Sequence, residues 1–365
     1  MGKLKEIIGV FFKLGCIAFG GPASHIAMMQ DEIIEKRKWI SQQHFLDLIG
    51  ITNLIPGPNS TEMTMHCGFE RAGWKGLFAA GISFIFPAVV ITCIFAWLYT
   101  SYGHLPEVEP FIMGIKPAVI AIILSASYKL GKKAIKSVEL AIIAGLVVIY
   151  ALLGYHEIFG ILLAGAMGLA LYLIKQPKTK VNSIIPIIPL ITVSQLKIFL
   201  TFLKVGAILY GSGYVLFAYL DAELVATGLL TRAELMDAVA VGQMTPGPVL
   251  STATFIGWQL GGFKGAMLAT VGIFVPSFIF VGLINPLLKK IRKSKMLSAV
   301  LNAVNAGAVA VIVAVVVEMG IETVQDWRSI VIMAITIGLV FGLKKLNSAF
   351  IVLIGAVLGY LLSLI

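Results

Sequence analysis

The stretch "LIPGPNSTEM" (residues 54–63) sets two prolines around a glycine, inside a run otherwise apolar enough to cross a bilayer. Proline lacks a backbone N–H and its ring collides with the preceding turn, so Pro56 and Pro58 break a continuous helix there. The break is written twice. "FLDLIGITNLIPGP" (45–58) returns as "LMDAVAVGQMTPGP" (235–248), Pro56 against Pro246 at an offset of 190. "AGWKGLFAAGISFIFPAVVI" (72–91) returns as "GGFKGAMLATVGIFVPSFIF" (261–280), and "FKLGCIAFGG" (12–21) as "LKVGAILYGS" (203–212). A repeat at near-constant offset over most of a chain means one structural unit used twice. The units are residues 1–180 and 197–365, joined by a Pro- and Lys-bearing linker at 181–196.

Composition fixes the environment of both. Of 365 residues, 59% are hydrophobic and 13% charged, against roughly 25% charged in soluble domains. Apolar runs of spanning length recur to the last residue and leave no polar stretch long enough for a soluble domain. Each half offers six, at 7–29, 43–67, 75–100, 111–130, 138–154 and 158–174, then 197–220, 235–258, 264–287, 298–320, 327–343 and 347–364. They lack the alternation of barrel strands, so the expected fold class is an all-α integral membrane protein, multi-pass in a bacterial-type cell membrane. The basic N-terminus resembles a signal peptide, but Lys13 interrupts its apolar core and the segment is expected to be retained.

Loop charge orients the spans. Net charge is +10, much of it in "YKLGKKAIK" (128–136), "KQPKTK" (175–180) and "KKIRKSK" (289–295), which are expected to be cytoplasmic. Loops poor in Lys and Arg at 101–110, 154–157, 221–230 and 321–327 are expected outside. The third segment then runs outward in the first half and inward in the second, which makes the repeats inverted in topology. Inversion needs an odd number of crossings per half, so the Pro-Gly-Pro segment is expected to be re-entrant, leaving about five crossings per half and both termini outside. Lys3 and Lys5 conflict with an external N-terminus.

Inverted repeats with helices broken near the midplane are a ground plan of secondary transporters, in which helix N-termini face anionic substrates. The breaks here are Gly20-Gly21-Pro22, Pro56-Gly57-Pro58, the counterpart "YGSGYV" (210–215), and Pro246-Gly247-Pro248. Asn59, Ser60, Thr61, Ser251, Thr252 and Thr254 follow the Pro-Gly-Pro turns and are expected to cap the restarted helices or to bond an oxyanion; bonding back to their own helix is the structural alternative. Lys13 and Lys204 are equivalent positions that would either face a central anion or snorkel. Lys116 is a weaker candidate of the same kind. Glu62 is the acid best placed to exchange a proton, unless it pairs with Arg71. His25 would titrate near neutral pH or serve structurally. Asp47 and Asp237, repeat equivalents, are expected to stabilise helix starts.

Cys16, Cys67 and Cys93 show no ligand spacing, so no metal or cofactor is expected. No HExxH, Walker A, GxSxG or Rossmann fingerprint occurs in a supporting context, which argues against an enzyme. The expected partners are an oxyanion, protons and the lipid bilayer, with no nucleic acid; a homodimer is compatible with the sequence, although no interface is legible in it.

"FGGPASHI" (19–26), the Pro-Gly-Pro of 56–58, "GFERAGWKG" (68–76) and Pro87, echoed in the second half, resemble the chromate ion transporter family in its two-domain, long-chain form. The resemblance implies a chromate transport domain repeated with opposite membrane orientation, and chromate efflux driven by the proton-motive force. The halves also differ: Arg71 corresponds to Leu260, and "FGGPAS" to "YGSGYV". Sulfate, a tetrahedral dianion of similar size, is the alternative substrate, and an anion channel or anion-binding sensor the alternative class.

Overall fold

A computed structural model describes residues 2–18, 22–52, 55–103, 105, 107–153, 155, 157–175, 195–209, 215–284, 295–324, 326–343 and 346–365. Every regular element among them is helical. The first half holds α1 (Lys3–Ile17), α2 (Pro22–Gln30), α3 (Gln42–Thr52), α4 (Asn59–Tyr102), α5 (Glu109–Ala134), α6 (Val138–Leu152) and α7 (Glu157–Lys175). The second holds α8 (Gln195–Ile208), α9 (Val215–Leu220), α10 (Arg232–Met244), α11 (Thr252–Ile284), α12 (Lys295–Thr323), α13 (Trp327–Gly342) and α14 (Ser348–Ser363). A π-helical turn extends α2 over Asp31–Lys36, and another extends α9 over Asp221–Val225.

Among the described residues four helices, α4, α5, α11 and α12, are long and apolar enough to cross a bilayer, and α6, α7, α13 and α14 supply shorter apolar rods. Along α4, Phe78, Ile82, Phe86, Val90, Ile94 and Trp97 are exposed at helical spacing. Such a continuous apolar stripe is an aggregation hazard in water and a lipid-facing surface in a membrane. The chain is a multi-pass membrane protein.

The Pro-Gly-Pro segment folds back on itself. His44 Nε2 lies 3.3 Å from Glu70 Oε1, and the two flank Gly57 at equal distance along the chain. A through-going helix would hold them about 39 Å apart. Cysteines placed at 44 and 70 are therefore expected to cross-link with a short thiol reagent in intact membranes; no cross-link would refute the hairpin.

The first segment, expected as one span over 7–29, also folds back. Lys13 Nζ meets Glu32 Oε1 at 3.1 Å, and Glu6 receives Trp39 Nε1 at 3.2 Å and Arg71 at 2.9 Å. The Gly-Gly-Pro break lies between the arms, so the segment is a hairpin like the Pro-Gly-Pro one, where a single re-entrant segment per half was expected. This gathers residues 3–6, 36–39 and 71 at one end of the molecule, so Lys3 and Lys5 sit with Lys36, Arg37 and Lys38 instead of across the membrane from them. The second half matches: Lys204 Nζ lies 2.5 Å from Glu223 Oε1, and the Tyr219 hydroxyl donates to Ile208 O at 3.1 Å.

α4 and α11 are each two arms joined by a tight turn. Ala72 and Gly73, and equivalently Gly261 and Gly262, leave helical geometry, with φ +61° at Gly73 and +60° at Gly262. The arms touch through glycine: a Cβ at Gly68 would lie 2.6 Å from Ala80 Cβ, and one at Gly257 2.6 Å from Ala269 Cβ. Small residues let membrane helices approach at backbone distance, where dispersion replaces the missing hydrophobic drive.

The long arms of α4 and α11 run antiparallel. Phe78 stacks on Phe278 with centroids 5.3 Å apart, and a Cβ on Gly282 would come within 2.6 Å of Trp74. Contacts between the halves come in exchanged pairs: α5 packs on α13 and α14, and α12 packs on α6 and α7.

Candidate functional site

The two Pro-Gly-Pro turns meet the opposite half. Gly57 N–H donates to Leu209 O at 2.6 Å, and Gly247 N–H donates to Ala18 O at 2.9 Å. Leu209 and Ala18 are equivalent residues at the ends of α8 and α1, so the turns are exchanged reciprocally, as in an isologous contact. Gly57 has φ +136° and Gly247 φ +91°, a region closed to residues with a Cβ.

Unpartnered polar groups gather at these turns. A Cβ on Gly57 would strike Glu62 Oε1 and lie 2.7 Å from Ser277 Oγ, so the carboxyl folds over its own turn, beside a hydroxyl of α11. Glu62 is fully buried, and neither of its oxygens has a hydrogen-bond partner among the described residues; the same holds for Thr61 Oγ1, Ser251 Oγ and Ser277 Oγ. Each orphan of this kind costs about 1–3 kcal/mol, which sets this cluster apart from the paired polar groups around it. Thr61 and Ser251 stand at equivalent positions, one turn past each break.

The expected side-chain caps are not formed. α4 has Pro58 at its N-cap, a residue with no side-chain acceptor, and Ser60 is engaged by His25. Thr61 N–H and Glu62 N–H both close on Pro58 O, and the start of α4 turns its positive dipole end toward the Pro-Gly-Pro turn. Thr252 bonds back to Val249 O at 2.8 Å, and Thr254 pairs with Thr270 at 2.8 Å. Asn59 lies half-buried at the α4 start.

His25 ties the two turns together. Its Nε2 lies 3.0 Å from Ala18 O, the carbonyl that also receives Gly247 N–H, and its Nδ1 lies 3.2 Å from Ser60 Oγ. A carbonyl only accepts, so this geometry assigns the proton to Nε2, and Nδ1 accepts the Ser60 hydroxyl. Both ring nitrogens are satisfied, which favours the structural role for His25. Gly20 and Gly21 lie outside the described residues; Pro22 begins α2.

Lys13 and Lys204 do not converge on the turns. Each pairs with an acid 19 residues on, Glu32 and Glu223, across its own hairpin. Burial alone would push the Glu32 carboxyl up, but hydrogen bonds from Lys36, Lys13 and Arg37 outweigh it and hold the group down at about 2. Arg71 is not the partner of Glu62: it bonds Glu6, whose carboxyl it pulls below the ordinary range, and stacks 5.3 Å over Trp39. Asp237 does not start a helix. Thr231 and Glu234 form the capping box of α10, whereas buried Asp237 receives the Tyr99 hydroxyl at 2.7 Å and stands within electrostatic reach of Lys116. The side chain of Asp47 lies outside the described ones.

Sequence reasoning missed three groups. Glu32 and Glu223 share the 191-residue offset of Lys13 and Lys204, a signal present in the repeat. Ser277 follows Pro276 visibly, but its counterpart is Ala88, so the repeat carries no hint of it.

A family model described as chromate transporter matches residues 5–169 and 196–360. A probable chromate transport protein of Synechococcus elongatus is 31% identical over 98% of this chain and 95% of its own length. The chromate transport proteins of Cupriavidus metallidurans and Pseudomonas aeruginosa are each 27% identical over 98% of this chain and 92% of their own lengths. No solved structure matches the chain.

Proposed function

The chain belongs to the chromate transporter family, and from that membership we propose a secondary transporter that exports chromate in exchange for protons. The observation that carries this reading is the reciprocal crossing of the two Pro-Gly-Pro turns among orphan hydroxyls and one buried carboxyl. The open start of α4 and the hydroxyls of Thr61, Ser251 and Ser277 suit a tetrahedral dianion, which needs donors on several sides. Glu62 is the proton carrier: a buried carboxylate and a bound dianion repel, so the proton and chromate are linked through one site.

The antiparallel arms of α4 and α11 support the inverted arrangement of the repeats. Loop charge places residues 2–5, 36–41, 71–75 and 129–136 inside, and 105–108, 226–231 and 321–324 outside. Two hairpins entering from opposite faces bring their turns to the midplane, as alternating access requires.

Flux in proteoliposomes tests the reading. Labelled chromate should move with a saturating rate that depends on a pH gradient. Voltage-following current without saturation would indicate a channel, and binding without flux a sensor. Transport of sulfate with chromate neither moving nor competing would overturn the substrate.

A further inference from the structure

We propose that the coupling proton reaches the central site along the buried seam between the second arm of α4 and α10, with Asp237 as its outer docking group. The inference rests on the proton-coupled reading above and adds the route. At the outer end of the seam Tyr99 O–H donates to Asp237 Oδ2 at 2.7 Å, while Asp237 Oδ1 has no partner among the described residues. At the inner end Thr92 and Thr245, both buried, face one another with hydroxyls 3.5 Å apart. Two residues further along α10's chain is the Gly247 turn, where a Cβ would stand 3.0 Å from Ala88 of the same arm of α4. Buried Gln243 offers a side-chain nitrogen that also lacks a partner.

The route is one-sided, and that separates it from ordinary packing. The repeat equivalents of Thr92 and Thr245 are Val281 and Ile55, both buried. The corresponding seam beside Gly57 is therefore plugged by hydrocarbon, although the backbone plan is the same. Among the described residues the twin seam offers no equivalent hydroxyl pair, so the proton is routed along the α10 side.

Asp237 to Thr245 is eight residues, about 12 Å along the helix. Ala96 and Ala240, small and buried, lie along this stretch, which the route crosses on about three bridging waters. Asp237 takes a proton from the outer face and becomes the neutral acid. It releases that proton to the water chain; Thr245, whose hydroxyl rests on Val241 O at 2.8 Å, turns from that carbonyl so that the threonine pair accepts one proton and passes one on, and Glu62 is the final acceptor. Tyr99 keeps its proton and only orients Asp237. The groups facing Asp237 are Tyr99 from α4, Lys116 from α5 and Glu234 on its own helix; Asp221, Glu318 and Glu322 at the same end are held by Arg232.

The test compares two fluxes in the same proteoliposomes: chromate efflux driven by a pH gradient, and chromate–chromate exchange at equal pH. Asp237→Asn should lower the driven flux at least ten-fold and flatten its pH dependence, with exchange within about three-fold of the parent. The double variant Thr92→Val/Thr245→Ile, which copies the plugged seam, should show the same split. Equal loss of both fluxes in Asp237→Asn and in the double variant would assign these residues to packing and overturn the route, as would undiminished driven flux. A parent protein that moves chromate with no response to the gradient would overturn the coupled reading first, and the route with it.

Discussion

Replacing Gly57 and Gly247 together with leucine should reduce chromate flux by more than about 100-fold while the protein still inserts. Both turns sit at positive φ, +136° and +91°, where a residue with a Cβ loses about 1–3 kcal/mol at each site. A side chain at 57 would also push the Glu62 carboxyl away from Ser277, and one at 247 would press on Ala88 Cβ at 3.0 Å and on Gly15 O at 3.3 Å. The turns can relieve this only by leaving Leu209 and Ala18, which dismantles the crossing. At about 1.4 kcal/mol per ten-fold change, the two strains together account for the expected loss. The apolar surfaces of α4, α5, α11 and α12 are untouched, so the amount of protein in the membrane should hold. Flux normalised to inserted protein is the measurement. A double variant that transports at the parental rate would end the case for a site at the turns.

Glu62→Gln should remove pH-gradient-driven efflux by about 100-fold and leave chromate–chromate exchange within about three-fold. Glutamine keeps the shape and hydrogen-bonding of the protonated acid beside Ser277 but carries no exchangeable charge. The repeat offers no substitute, because the position equivalent to Glu62 is Thr252, whose hydroxyl is spent on Val249 O. Driven flux that survives in Glu62→Gln would move the proton elsewhere, whereas loss of exchange as well would make Glu62 part of the anion site alone.

The breaks, the repeat and the membrane setting were legible in the residues because each depends on local chemistry: proline without a donor, glycine at a turn, apolar length against bilayer thickness. The first hairpin was harder. Gly20-Gly21-Pro22 marks a break, but hydropathy over 7–29 reads the same whether the chain crosses or returns. Only the pairing of Lys13 with Glu32 and of Glu6 with Trp39 and Arg71 decides it. Lys3 and Lys5 had signalled the discrepancy, since their charge fits an end shared with Lys36, Arg37 and Lys38.

The roles of individual polar residues were less legible still. Lys13 and Lys204 read equally well as ligands or as paired groups until Glu32 and Glu223 stood across from them. Ser60 and Thr61 are neighbouring hydroxyl residues, yet the first is engaged by His25 and the hydroxyl of the second has no partner among the described residues. That difference arises from helix rotation and from which element packs opposite, neither of which a one-dimensional pattern contains.

By itself, the sequence determined that this is a helical membrane protein of two related halves, each interrupted at Pro-Gly-Pro, because those properties follow from transfer free energy and backbone sterics acting within a few residues. Tertiary structure alone decided that each turn bonds the opposite half, that Glu62 lies buried beside Ser277 from 215 positions further along the chain, and that Thr92 and Thr245 face one another across a seam. Those are relations between residues distant in sequence, fixed only when the exchanged halves pack and choose which side chains share a dry interior.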